Sequence, residues 1–140
     1  MTYLPETFNY KKVSFKANGT NAQVVGTGDT IIICNDEQWD EGASYNNGTG
    51  VFTPTEPGYY QVDAGVGFIG SDTGFPIINL NGSRYKIGGI KGDNTFRISC
   101  IVPFNGTTDN ASFAVNLSSG ATIDVSNFLT FFSAHWVQPL

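Results

Sequence analysis

No apolar run in this chain lasts long enough to make three turns of helix. Gly, Pro or Asn interrupts nearly every one. Gly gives up helix stability through backbone entropy and Pro breaks the hydrogen-bond ladder. With 17 Gly and 6 Pro in 140 residues, the pattern favours short strands joined by tight turns.

Period-two and β-rich segments recur between those breaks. Val13-Ser14-Phe15-Lys16-Ala17 alternates inward and outward, and Thr30-Ile31-Ile32-Ile33-Cys34 is a continuous apolar run suited to a strand covered on both faces. Further strands are expected over 50–53, 59–68, 75–80, 84–90, 95–104, 112–117, 121–125 and 128–137. Between 75–80 and 84–90 stands Asn81-Gly82-Ser83, a tight-hairpin signal because Asn and Gly tolerate positive φ. After Pro57 and Gly58, the residues Tyr60, Val62, Ala64 and Val66 fall on one face of a strand. These ten segments, with regularly spaced turns, predict a single all-β sandwich or barrel.

Composition excludes several functions. Net charge is −5 and nothing basic clusters beyond Lys11 and Lys12, which argues against binding nucleic acid through phosphates. The first ten residues lack the apolar core of a signal peptide, and no stretch approaches the roughly 18 apolar residues of a membrane helix. Charged residues are only 14%, against roughly 25% in ordinary soluble domains. So little charge suggests that part of the surface is hidden in an oligomer. Cys34 and Cys100 both lie in strand-like runs. Buried free thiols are the expectation, and a disulfide requires that their strands be neighbours.

Catalytic constellations are missing. His135 is the one histidine, no G-x-S-x-G surrounds any serine, and one His with two separated Cys makes no zinc set. Asp36, Glu37, Asp40 and Glu41 form the best metal candidate, but their spacing fits no EF-hand and a solvated acidic loop is the expectation. An enzyme built on the pair Asp36 and Glu41 is the weakest of three function classes. Asn18, Asn47, Asn81, Asn105, Asn110 and Asn116 begin N-x-S/T triplets, read here as turn chemistry rather than glycan acceptors.

Three segments together resemble the trimeric jelly-roll superfamily of the complement subcomponent-q globular head and tumour necrosis factor. Gly50-Val51-Phe52-Thr53-Pro54 followed by Pro57-Gly58-Tyr59-Tyr60-Gln61-Val62 resembles the family's G-x-F-x-P and P-G-x-Y-x-F, with Val62 in place of an aromatic. Upstream, Ile31-Ile32-Ile33 with Trp39, Asp40 and Tyr45 resembles the strand and loop that lead to that glycine. Leu129-Thr130-Phe131-Phe132-Ser133-Ala134-His135-Trp136-Val137 resembles the closing strand, with Ala134 replacing a glycine. The stretch from Ala114 to Val125 fits the penultimate hairpin, lacking only its Asp after Gly120.

The resemblance implies a ten-stranded jelly-roll sandwich of two antiparallel sheets over residues 12–140, homotrimeric, preceded by an arm at 1–11. It places Phe15, Tyr60, Phe113, Phe131 and Trp136 near the three-fold axis, ordinary intradomain core being the alternative for each. Some members hold calcium near the trimer apex, so the acidic loop is the one place for a cofactor; none is expected. Because the chain carries no stalk or anchor, the preferred expectation is a non-enzymatic virion protein. It would be a bacteriophage capsid decoration (cement) protein, partnered by a major capsid or other virion protein and gripping it through Tyr3, Leu4, Phe8 and Tyr10. The alternative is an extracellular or cell-surface knob, of a tail fibre or a bacterial adhesin. Such a knob would bind a receptor or glycan through Trp39, Tyr45 and Phe75.

Overall fold

The computed structural model describes residues 13–126 and 128–140; the arm residues Tyr3, Leu4, Phe8 and Tyr10 lie outside them. The described residues form strands β1 (Ser14–Asn18), β2 (Val24–Val25), β3 (Gly28–Ile31), β4 (Asp36–Glu41), β5 (Tyr45–Asn46) and β6 (Val51–Phe52). Then follow β7 (Gly58–Leu80), β8 (Ser83–Ile87), β9 (Lys91–Phe104), β10 (Ala111–Leu117), β11 (Ala121–Ile123) and β12 (Phe131–Gln138). All pairings are antiparallel.

The 23-residue β7 serves both layers of the sandwich. Its first half pairs with β12 on one side and β9 on the other, giving a layer in the order β4-β1-β12-β7-β9. Its last residues, 74–80, pair with β10 and with β8, and β3 and β6 follow on the far side of β10. The hairpin between β7 and β8 turns on Asn81 (φ 55) and Gly82 (φ 78). Both are in the left-handed region, as a two-residue turn matched to strand twist requires.

Alternation builds the core. In β1 the burial runs intermediate, buried, intermediate, buried, intermediate, so Phe15 and Ala17 point inward. On β7, Tyr60, Val62, Ala64 and Val66 are all buried, as their shared face predicts. Phe15 stacks on Tyr45 with ring centroids 4.4 Å apart and meets Phe132 edge-on at 5.1 Å. Phe52, Tyr60 and Phe104 form a second cluster at 5.1–5.6 Å. Each fully buried aromatic contributes roughly 1.5–3 kcal/mol by area, more than a typical exposed ion pair. Packing of rings between layers therefore outweighs the exposed ion pairs.

Four sequence expectations change. The segments 59–68 and 75–80 join into one strand, because residues 72–74 stay paired with β9 through the bend. The run 30–34 is a strand only to Ile31, though Ile32 and Cys34 remain buried. The closing strand starts at Phe131 and not at 128, since Phe128 has φ 55 and is not extended. The acidic segment 36–41 is the edge strand β4 and not a loop; its side chains show no apolar alternation because neither of its faces is buried. Cys34 and Cys100 are free thiols.

Candidate binding face

The layer β4-β1-β12-β7-β9 turns one face to the core and the other outward. Cross-strand register fixes the outward face as three rows of five. The first runs Glu41, Ser14, His135, Gln61, Ile101; the second Trp39, Lys16, Ser133, Asp63, Ser99; the third Asp36, Asn18, Phe131, Gly65, Arg97.

A polar knot locks the centre of this face. Gln61 Nε2 donates to Ser99 Oγ at 2.7 Å and to Asp63 Oδ1 at 3.2 Å, while Ser99 Oγ donates to Asp63 Oδ1 at 2.5 Å. Trp39 Nε1 donates to Ser14 Oγ at 3.2 Å, which holds the indole against β1. Gly65 makes room for the Phe131 ring: a Cβ there would lie 2.8 Å from Phe131 Cε1. The guanidinium of Arg97 stands 5.8 Å from the centroid of that ring. A groove of about 430 Å³ runs across the face, lined by Ser14, Lys16, Trp39, Asp63, Phe131 and His135 among others.

The five residues expected at a three-fold axis separate. Phe15, Tyr60 and Phe113 are at most 1% exposed within a single protomer. They are intradomain core and present nothing to a second copy, because their parity on the strands is inward. Trp136 is half-buried and also of inward parity; its Nε1 donates to the Pro57 carbonyl at 3.1 Å. Phe131 alone lies on the outward face, half-buried. Of the three aromatics assigned to a knob surface, Trp39 is 49% exposed but Tyr45 is buried. The Tyr45 hydroxyl donates to the Cys34 carbonyl at 2.8 Å. Phe75 is half-buried with the Arg84 guanidinium 5.2 Å from its centroid.

The acidic group does not converge. Asp40 is committed to the next turn, accepting from the amides of Ser44 and Tyr45 at 3.0 Å each. Asp36 and Glu41 sit at opposite ends of β4, roughly 16 Å apart at strand rise, too far for paired carboxylates to act on one bond. Among the described residues no three metal-capable side chains gather. No described helix is long and apolar enough to cross a membrane.

Sequence reasoning singled out Phe131 and Trp39 but missed the polar centre between them, Gln61, Asp63 and Ser99, because those residues carry no apolar signal. The signal available was the polar parity of β1, β7 and β12: Ser14 and Lys16, Gln61 and Asp63, Ser133 and His135.

The chain matches no family model and no curated protein. Solved structures do match. The globular domain of zebrafish complement 1qA protein is 12% identical, with a TM-score of 0.64, over 92% of this chain and 100% of that one. Murine APRIL at pH 5.0 gives a TM-score of 0.67 at 12% identity, over 91% of this chain and 100% of that one. Eiger TNF from S. frugiperda gives 0.60 at 12% identity, over 91% and 94% of the two chains. Such identities speak of architecture alone, and together with the strand order they show that this chain has the two-layer jelly-roll fold of the complement 1q globular head and the tumour necrosis factor-like proteins.

Proposed function

We propose that the chain is a non-enzymatic homotrimeric module that acts by binding. The observation that carries this reading is the outward face of β4-β1-β12-β7-β9. Half-buried Phe131 and exposed Trp39 and Ile101 surround a centre whose polar groups are already satisfied by one another. Such a centre loses little on desolvation, and the aromatic anchors beside it, with Glu41, Asp36 and Arg97 at three corners of the face, match the layout of a protein–protein contact with a polar rim. The fold shared with the complement 1q head and tumour necrosis factor-like proteins, and a charged fraction of 14%, support the same reading.

The finer reading is a bacteriophage capsid decoration protein, found on the virion, whose trimers seat at local three-fold positions. Three-fold repetition of one contact raises avidity without new chemistry. The arm with Tyr3, Leu4, Phe8 and Tyr10 would grip the capsid protein. No cofactor enters. The alternative, a receptor- or glycan-binding knob outside the cell or on its surface, keeps exposed Trp39 and half-buried Phe75, now that Tyr45 is core.

The first test is absolute mass by light scattering, with and without a calcium chelator. Three times the chain mass of 15.1 kDa is expected in both; a monomer overturns the trimeric reading. The second is co-sedimentation with assembled capsid shells of the same virus. Full-length protein is expected in the pellet and a form lacking residues 2–10 in the supernatant. Binding to a glycan array that is lost in Trp39→Ala would favour the knob instead.

A further inference from the structure

In an Asn-Gly pair nothing shields the following backbone nitrogen from the asparagine side chain, because glycine has no Cβ. The pair occurs at Asn18-Gly19, Asn47-Gly48, Asn81-Gly82 and Asn105-Gly106. The fold restrains three of these. Gly19 is buried and its amide donates to the Thr130 carbonyl at 2.9 Å. The Asn81 side chain is held at both ends: Nδ2 donates to Asp109 Oδ1 and Oδ1 accepts from the Asn110 amide, each at 2.9 Å. Asn105 Oδ1 accepts the amides of Thr107, Thr108 and Asp109 at 2.9–3.0 Å, and Nδ2 donates to Thr108 Oγ1 at 2.9 Å.

Asn47 differs. It stands exposed in the turn between β5 and β6, and its side chain has no hydrogen-bond partner among the described residues. Its Cγ can therefore turn toward the Gly48 nitrogen. One contact holds that nitrogen back: the Gly48 amide donates to Asn46 Oδ1 at 2.9 Å, an oxygen that also accepts from the Thr49 amide at 3.2 Å. Asn46 and Gly48 are both exposed, so water competes for this bond and it opens locally.

We propose that Asn47 is a site of self-modification, with the Asn46 side chain as its gate. Once the Gly48 N–H leaves Asn46 Oδ1 and gives its proton to solvent base, the nitrogen attacks Asn47 Cγ and an N–Cγ bond forms. The Cγ–Nδ2 bond breaks, and the leaving nitrogen takes up a proton and departs as ammonia. A five-membered imide remains. Water adds to one of its two carbonyls and opens it, giving aspartate or, with the main chain rerouted through the side chain, isoaspartate. One water is consumed and one ammonia released, with no change of oxidation state.

The product alters a defined surface. Two adjoining grooves, of about 590 and 410 Å³, share Asn47, and no charged side chain lines either. The reaction sets a carboxylate between them. Isoaspartate also adds a main-chain atom to a turn of fixed length. The Gly50 amide closes that turn on the Asn46 carbonyl at 2.8 Å, and Gly50, at φ 75, leaves only 3.0 Å between a built Cβ and the Ile32 carbonyl. The lengthened chain must break this closure.

The test ages the full-length folded protein at neutral pH and follows each Asn-Gly pair by peptide mass mapping, with an enzymatic assay for isoaspartate. Asn47 is expected to convert about tenfold or more faster than Asn18, Asn81 and Asn105, since misplaced reacting atoms lose rate steeply. In urea the four rates are expected to converge, because only the fold separates them. Gly48→Ala is expected to slow Asn47 by about tenfold or more, as its Cβ crowds the attacking nitrogen. Asn46→Ala is expected to quicken it. Circular dichroism establishes that each variant is folded. If Asn81 or Asn105 converts as fast as Asn47 in the folded protein, or Gly48→Ala leaves the Asn47 rate unchanged, the site falls. If Asn46→Ala does not quicken the reaction, the gate falls while the site stands.

Discussion

The indole of Trp136 occupies the space in which a side chain at Gly58 would begin. A Cβ built on Gly58 would overlap Trp136 Nε1 and lie 2.8 Å from the Gln138 carbonyl. The glycine thus lets the closing strand lie against the start of β7, and the indole donates to Pro57 immediately before it. Gly58→Ala is expected to cost about 1–3 kcal/mol, the range for forced overpacking. Gly89→Ala, which would meet nothing within 4 Å, is expected to stay within about 0.5 kcal/mol. Urea denaturation of both variants checks this; equal midpoints would show that Gly58 is not under that constraint.

Phe15 marks where sequence reasoning and structure part. It is 1% exposed and contacts Tyr45, Phe52 and Phe132, so Phe15→Ala is expected to cost about 3–5 kcal/mol. The loss belongs to the protomer. The measured change in unfolding free energy should therefore persist at concentrations where any assembly has dissociated. A variant that loses assembly but keeps protomer stability would return Phe15 to an interface.

Much of the fold was legible because strand parity is local. Phe15 with Ala17, and Tyr60 with Val62, Ala64 and Val66, can be assigned to one face by counting in twos. The Asn81-Gly82 turn was legible for a similar reason, since its backbone demand falls on the residues themselves. Strand β4 was not legible. Asp36-Glu37-Gln38-Trp39-Asp40-Glu41 owes its conformation to pairing with β1, a long-range partner that leaves no pattern in the segment. The face was hidden for a related reason: Asp63, Gln61 and Ser99 become a unit only when β7 and β9 lie in register. Phe15, Tyr60 and Phe113, read as interface, are core because in a two-layer sandwich the space between the layers is the driest place available for them, whereas Phe131 lies on the outward face.

The two thiols should differ in reactivity. Burial pushes the Cys34 thiol up from 9.0 to about 12, whereas Cys100 is half-buried and raised by burial with Lys86 opposing. At neutral pH in the folded protein, iodoacetamide is expected to label Cys100 slowly and Cys34 not at all. In denaturant both should react. The raised Cys34 value also means that its contribution to stability is whole below pH 9.0 and is lost as pH climbs toward about 12. Peptide mass mapping after alkylation decides; rapid native labelling of Cys34 would contradict its burial.

Arg84 spans two strands to reach Asp29, with Nε to Oδ2 at 2.7 Å and Nη2 to Oδ1 at 2.5 Å. Asn116 adds a third donor to Oδ1 at 2.8 Å. Register places Arg84 beside Asn79 and Asp29 beside Asn116, so the arginine stem crosses the row that holds Ile77 and Ala114. Those two are at most 1% exposed although they lie on the outer face of their layer. The stem therefore covers apolar surface as well as carrying charge. Arg84→Ala is expected to lower the urea midpoint and Arg84→Met to regain much of that loss; an Arg84→Met midpoint no higher than that of Arg84→Ala would show that the stem contributes nothing.

The carboxylate half of that pair makes the domain sensitive to acid. The Arg84 hydrogen bonds hold the Asp29 carboxyl below its ordinary 3.8, with Asn116 helping and desolvation opposing. Asp72 is lowered likewise, first by the Ser118 hydroxyl and then by backbone amides that include those of Ser119 and Gly120. A carboxyl whose folded pKa is depressed binds fewer protons folded than unfolded near that pKa. Its stabilising contribution is therefore whole above 3.8 and is lost as pH falls through the lower folded value. Both groups are solvent-accessible enough that the effect is modest. Thermal midpoints are expected to be flat from about pH 7 to 5 and to fall below about pH 4. Asp29→Asn is expected to lower the plateau and to lessen the fall, because the residue no longer titrates. An acid limb of unchanged steepness in Asp29→Asn would assign the transition to other carboxylates.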